Sequence, residues 1–259
     1  MDFSNALLVA AGAFLAGGMN ALAGGGTFFS FPALLAAGLP PVTANASNSV
    51  ALWPASLSSA WAYRREAMRH GSWAITLIVV SLLGGLAGGL LLLATSNAAF
   101  SRLIPWLLFV ATALFAFSKH VSRLVSWSKA KLGAPASQGK GGIGGTLFQF
   151  LVAVYGGFFG AGMGILTLAA LSIQGVEDIQ ELNALKNLTS AVNYTVAALT
   201  FIIAGAISWP HTLVALCTAT LGGYAGATLA KRLPALWLRR LVIAVGSTLT
   251  VIYFARTTL

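Results

Sequence analysis

The chain has 259 residues, 58% of them hydrophobic and 8% charged, and its mean hydropathy is +0.85. A soluble domain of this length cannot keep so apolar a surface in water, so the composition excludes an ordinary globular fold and points to a bilayer. The net charge of +10 would suit nucleic acid, but the basic residues sit in short connections and at segment ends with no interleaved aromatics, so no nucleic-acid partner is expected.

Ten hydrophobic segments follow in chain order: 3–23, 24–38, 44–63, 73–94, 100–118, 144–160, 161–175, 184–206, 209–231 and 236–255. The first has no basic region before it and no small-residue cleavage site, and reads as a span rather than a signal peptide. A full crossing takes about 20 helical residues, so 24–38 and 161–175 are too short and glycine-rich. The expected fold is an all-α polytopic membrane protein of about eight transmembrane helices plus two broken or re-entrant segments. Pro54 is expected to kink its helix, while Pro105 and Pro210 fall in first turns, where proline is tolerated. Trp73, Trp106, Trp209 and Trp237 at segment ends read as interfacial anchors. Cys217 stands alone, which rules out an internal disulfide, and reads as a small packed residue.

The two short segments carry one irregular pattern twice. Gly24, Gly25, Gly26 and Thr27 lead to Ser30, Pro32 and Gly38, followed by Asn45, Ser47 and Asn48; Gly156, Gly157, Gly160, Gly162, Gly164 and Thr167 lead to Gly175, followed by Asn183, Lys186 and Asn187. Paired breaks of this kind point to a transporter binding site, because irregular backbone inside a membrane survives only where it lines a cavity.

Charge sets the orientation. Arg64, Arg65 and Arg69 follow the third segment, Lys119 to Lys140 the fifth, and Lys231 to Arg240 the ninth, whereas the connections near 95–99 and 205–208 carry no Lys or Arg. The positive-inside rule places the basic connections in the cytoplasm. The expected organisation is an inverted repeat with both termini outside: residues 1–118 and 144–259 form the two membrane repeats, and 119–143 a basic cytoplasmic linker.

The first box, with Phe31-Pro32, Gly38 to Pro41 and Ser47-Asn48, resembles the sulfite exporter TauE/SafE family, and the likeness covers nearly the whole chain. The second box departs from the pattern: Ala169 stands where a proline is expected, and Glu177 to Glu181 replaces the short turn. The resemblance implies an integral membrane transporter of the bacterial inner membrane that carries a small sulfur-containing anion, such as sulfite, sulfoacetate or another organosulfonate, with no cofactor. The sequence is compatible with a homo-oligomer.

The chemistry of such a site follows from the residues as well. Helix N-termini offer free amides to a tetrahedral oxyanion, and glycines let the backbone approach it. Gly24, Gly25, Gly26, Gly162 and Gly164 are the candidate backbone cradle, with Thr27, Ser30 and Thr167 as hydroxyl donors. Asn48 and Asn187 align across the repeat as candidate cavity residues. Lys186 has two readings: it neutralises substrate, or it snorkels to the interface and pairs with Glu181 or Asp178. Trp53 reads either as a pocket wall or as packing, and Gly84-Gly85 with Gly88-Gly89, and Gly222-Gly223 with Gly226, as close helix packing. No Ser/His or His/Glu constellation lies within a span, which argues against a membrane enzyme. No acid or histidine lies mid-span either, so the expected direction is export, downhill for an anion by about 2.3 kcal/mol per charge per 100 mV.

Overall fold

The computed structural model describes residues 1–23, 25–131, 142–176, 178–229 and 235–258. The helices are α1 (Phe3–Ala23), α2 (Thr27–Ala36), α3 (Pro41–Ala62), α4 (Arg64–Met68), α5 (Ser72–Ala94), α6 (Asn97–Lys131), α7 (Ile143–Phe158), α8 (Met163–Ile173), α9 (Ile179–Ile203), α10 (Trp209–Leu229) and α11 (Ala235–Thr258). Every described element is helical, as the sequence predicts, and the chain is an all-α polytopic membrane protein. Helices α2 and α8 are the short pair, 10 and 11 residues long. Three stretches, Phe3–Asn20, Ser72–Ala94 and Asn97–Leu114, are long and apolar enough to cross a bilayer on their own composition. Helices α3 and α9 have the length without that hydropathy because they bury their polar residues against the rest of the protein: Asn45, Ser47, Asn48 and Ser49 on α3, and Thr189 and Asn193 on α9. Large apolar side chains instead point outward, among them Leu83, Leu91, Leu147, Leu151, Leu199 and Leu221. That distribution suits a lipid solvent.

The helix pairings come in matched sets. Helix α1 lies along α10 and α5 along α7; α3 packs on α9 and α6 on α11; α5 meets α9 as α10 meets α3. Exchanging α1, α2, α3, α5 and α6 with α7, α8, α9, α10 and α11 maps these pairings onto one another. Contacts also group the helix ends. At one end Asn5 donates to the Ala37 carbonyl, the Val42 amide to Asn97 Oδ1 and the Ser208 amide to Ser47 Oγ. At the other, α4 packs on α9, with His70 Nε2 3.5 Å from Glu181 Oε2, and Trp73 packs with Val176 and Leu182. Arg64, Arg65 and Arg69 lie at this second end.

Glycine makes the two longest seams possible. A Cβ on Gly17 would lie 1.9 Å from the Ala219 carbonyl oxygen, and one on Gly222 1.9 Å from that of Phe14. On the matching seam, Gly88 and Gly157 would strike the carbonyls of Val154 at 2.1 Å and Gly85 at 2.3 Å. Backbone on backbone at this range is the small-residue packing expected of Gly88 and Gly222.

Several expectations need correction. Helix α6 begins at Asn97, so Pro105 lies beyond the first turn, and the helix continues to Lys131 into the stretch read as linker. Cys217 is exposed on α10 rather than packed. Trp73 is not an interfacial anchor: its side chain is 6% exposed and meets His70 edge to face. Trp106 and Trp209 are half exposed, as anchors should be. Trp53 donates to Thr195 Oγ1 at 2.9 Å, joining α3 to α9. The side chain of Trp237, together with Lys140, Glu177, Lys231 and Arg232, lies outside the described residues.

Candidate functional site

The second break is built from glycine geometry. Helix α7 ends at Phe158, and α8 starts after Gly162, its N-cap, whose φ of +75° is left-handed backbone that L side chains rarely adopt. Gly160, at φ +80°, makes the other half of the turn. The Phe158 carbonyl, left over where α7 stops, accepts the Asn45 side-chain amide at 2.9 Å, so the first half of the chain fastens the break of the second.

A small cavity of about 40 Å³ opens beside this break, with Gly164, Lys186 and Asn187 on its wall. That space suits water or the compact head of a small anion and is too small for an aromatic ring. Gly164 belongs to the first turn of α8, where the helix dipole is positive; the Met163, Ile165 and Leu166 amides donate to the Gly160 and Gly162 carbonyls, which leaves that of Gly164 itself. A Cβ on Gly164 would lie 3.6 Å from Lys186 Cδ, so the lysine stem runs over the helix start. Ser190 and Tyr194 continue the same face of α9 at i+4 spacing from Lys186, and α3 and α1 close the cavity with Ser56, Ser59 and Asn20. The Tyr194 hydroxyl faces Thr27 of α2 and would stand 3.6 Å from a Cβ on Gly160. Residues of both halves therefore meet here.

Lys186 makes no ion pair among the described residues. Its expected partners are engaged elsewhere: Glu181 lies against His70, and Asp178 caps α9 by accepting the amides of Gln180 and Glu181 at 2.8 and 2.9 Å. A cation beside a polar cavity with these acids committed elsewhere supports the charge-compensation reading and removes the Glu181 or Asp178 pairing.

The first break is arranged differently. Ser30 donates to Asn48 Oδ1, and the Asn48 amide donates to Thr27 Oγ1 at 3.4 Å, in a buried network linking α2 to α3. These three side chains satisfy one another instead of lining the cavity. Gly25 and Gly26 supply carbonyls to the first turn of α2, and a Cβ on Gly26 would come within 2.5 Å of the Ala16 carbonyl oxygen, which marks a close crossing of α1. Thr167 is buried in α8. Gly24 lies outside the described residues. Of the sequence candidates, the cavity thus gathers Gly164, Lys186 and Asn187, with Gly162 setting the helix start behind them.

Residues 9–253 match the family described as Sulfite exporter TauE/SafE. The chain belongs to the TauE/SafE family. Relatives of this TauE/SafE chain include a "Probable membrane transporter protein" of Haemophilus influenzae, 29% identical over 92% of this chain and 89% of that protein. Another is the "Probable membrane transporter protein YfcA" of Escherichia coli K12, 27% identical over 85% of this chain and 77% of that protein. No solved structure matches the chain. The family and the names of its relatives make this TauE/SafE protein a membrane transporter by kinship.

Proposed function

We propose that this TauE/SafE chain exports a small sulfur-containing oxyanion, such as sulfite, sulfoacetate or another organosulfonate, by alternating access at the cavity beside the α7 to α8 break. The observation that carries this reading is the Lys186 side chain, unpaired among the described residues, on a polar cavity with a free-amide helix start at Gly164. Asn187 and Ser190 add neutral donors, so the tetrahedral oxygens meet hydrogen bonds as well as charge. The size of the cavity favours a compact head group over an aromatic sulfonate. Membrane potential then drives an anion outward without a coupling ion.

The orientation belongs to the same proposal. The end bearing Arg64, Arg65 and Arg69 faces the cytoplasm, and the end joining Val42 to Asn97 and Ser47 to Ser208 faces outward. Helices α1 and α7 then start on opposite sides of the bacterial inner membrane, as an inverted repeat requires, and both chain termini lie outside. Ser56, Ser59, Lys186 and Ser190 fall in the cytoplasmic parts of α3 and α9, so the cavity is served from within. An adjoining hollow of about 470 Å³, reaching Tyr63 at the basic end and sharing Asn20 and Ser59 with the cavity, provides the approach.

Purified protein is expected to bind sulfite or sulfoacetate and to show saturable efflux from vesicles that is stimulated by substrate on the far side. Flux that never saturates indicates a channel, and no binding of sulfite, thiosulfate or sulfoacetate rejects the anion reading. For the orientation, cysteine at Ala204 is expected to react with an impermeant thiol reagent in intact cells, while cysteine at Met68 stays protected. The background must lack Cys217, which is exposed. Equal labelling of both positions rejects the inverted arrangement.

A further inference from the structure

Tyr155, in the last turn of α7, touches the break twice. Its backbone carbonyl accepts the amides of Phe159 at 2.9 Å and Gly160 at 3.3 Å, which closes the helix, and its hydroxyl donates to the Ala161 carbonyl at 2.7 Å. Ala161 is the one residue between Gly160 and Gly162. Because glycine adopts either sign of φ at little steric cost, a peptide that ends on a glycine, as the one from Ala161 to Gly162 does, turns over readily unless something holds it. The Tyr155 hydroxyl supplies that hold. In a trans peptide the carbonyl and the following amide point in opposite directions, so fixing the Ala161 oxygen also fixes the Gly162 amide and the direction in which α8 starts. The ring is itself held, meeting Phe159 edge to face at 6.4 Å.

The first break has no tyrosine at the matching place. With Ala169 set opposite Pro32, Tyr155 falls opposite Gly18, and Ser30, Asn48 and Thr27 bond to one another there, with Ser30 Oγ also donating to the Gly26 carbonyl at 3.4 Å. Side chains spent on one another are not free for substrate. At the second break the amides of Met163, Ile165 and Leu166 donate to the Gly160 and Gly162 carbonyls, which leaves the Gly164 amide and its neighbours Lys186 and Asn187 available.

We infer that Tyr155 is a positioning residue of the anion site, holding the Ala161 peptide so that α8 starts in the direction that turns the Gly164 amide toward the cavity. The inference rests on the reading that this cavity binds an anion.

The test measures sulfoacetate binding to the purified full-length protein by calorimetry, beside its melting temperature and the KM and maximal rate of vesicle flux. Tyr155→Phe removes only the hydroxyl and is expected to raise Kd and KM about five- to tenfold, the loss of one neutral hydrogen bond, while the maximal rate is retained. Trp53→Phe removes a comparable part-buried hydrogen bond, to Thr195, between two residues that do not line the cavity, and is expected to lower the melting temperature with Kd unchanged. If Tyr155→Phe leaves Kd at the wild-type value, or if both variants lose affinity in step with melting temperature, Tyr155 is structural only and the inference is overturned. Should Tyr155→Phe fail to fold, p-aminophenylalanine, which keeps a donor, and p-methoxyphenylalanine, which does not, are compared at position 155. Equal affinity in that pair overturns the inference. Wild-type protein that binds none of sulfoacetate, sulfite and thiosulfate removes the anion reading itself, an outcome distinct from unchanged affinity in a variant.

Discussion

Gly222→Val is expected to abolish the folded transporter. The substituted Cβ would stand 1.9 Å from the Phe14 carbonyl oxygen, and the reciprocal contact of Gly17 with the Ala219 carbonyl leaves α1 no direction in which to yield. Overpacking a well-packed core costs about 1–3 kcal/mol when flexible side chains absorb it. Here rigid backbone must move, along the seam that holds the first helix of one half to the fourth helix of the other. Gly223→Ala is the matched control, because its nearest neighbour would be the Gly17 oxygen at an ordinary 3.7 Å. Size-exclusion profiles and melting temperatures in detergent should show Gly223→Ala close to wild type and Gly222→Val aggregated or absent. A monodisperse Gly222→Val protein with an unchanged melting temperature would mean that α1 and α10 are not in backbone contact.

The helix boundaries were legible because glycine and proline punctuate them physically. The triple glycine before Thr27 and the Gly160 to Gly164 run mark the places where a helix stops and restarts, and the long apolar runs between them leave little choice. Single residues were misread where their burial depends on a neighbour that hydropathy does not reveal. Trp73 reads as an anchor until His70, Val176 and the start of α9 cover it. Cys217 reads as packed in an apolar helix because in a membrane protein the apolar face is the outside.

The site was half legible. Lys186 stands out as a cation two turns into α9, beside the second break. Ser56, Ser59, Ser190, Tyr194 and Asn20 do not, since hydroxyls in membrane helices usually serve packing or bond their own backbone, as Ser59 does to the Ala55 carbonyl. One signal was available: Lys186, Ser190 and Tyr194 recur at i+4, with Asn187 beside them, and so share a helix face. The alignment of Asn48 with Asn187 suggests equal roles. The structure separates them: Ser30 and Thr27 engage Asn48, whereas Asn187 lines the cavity with Lys186 and with Gly164, which stands opposite Thr27 and has no hydroxyl to offer.

Lys186→Gln should weaken binding of sulfite or sulfoacetate by about ten- to hundredfold, the range of a lost charge-assisted hydrogen bond. Lys186→Arg should lose less, since the charge stays, although a planar guanidinium fits poorly beside a cavity of about 40 Å³. Glu181→Gln should leave affinity intact, because Glu181 lies against His70 and not against Lys186. Stability should follow a different order. Removing a charge that has no counter-ion among the described residues relieves its desolvation, so Lys186→Gln should melt no lower than wild type even as it loses substrate. A purely structural lysine would behave in the opposite way, with a fall in melting temperature and an unchanged Kd. Measuring both quantities on the three variants therefore decides whether the ammonium holds the anion. If Kd does not move in Lys186→Gln, the amides at the start of α8 and the Asn187 side chain must bind the oxyanion without a formal charge.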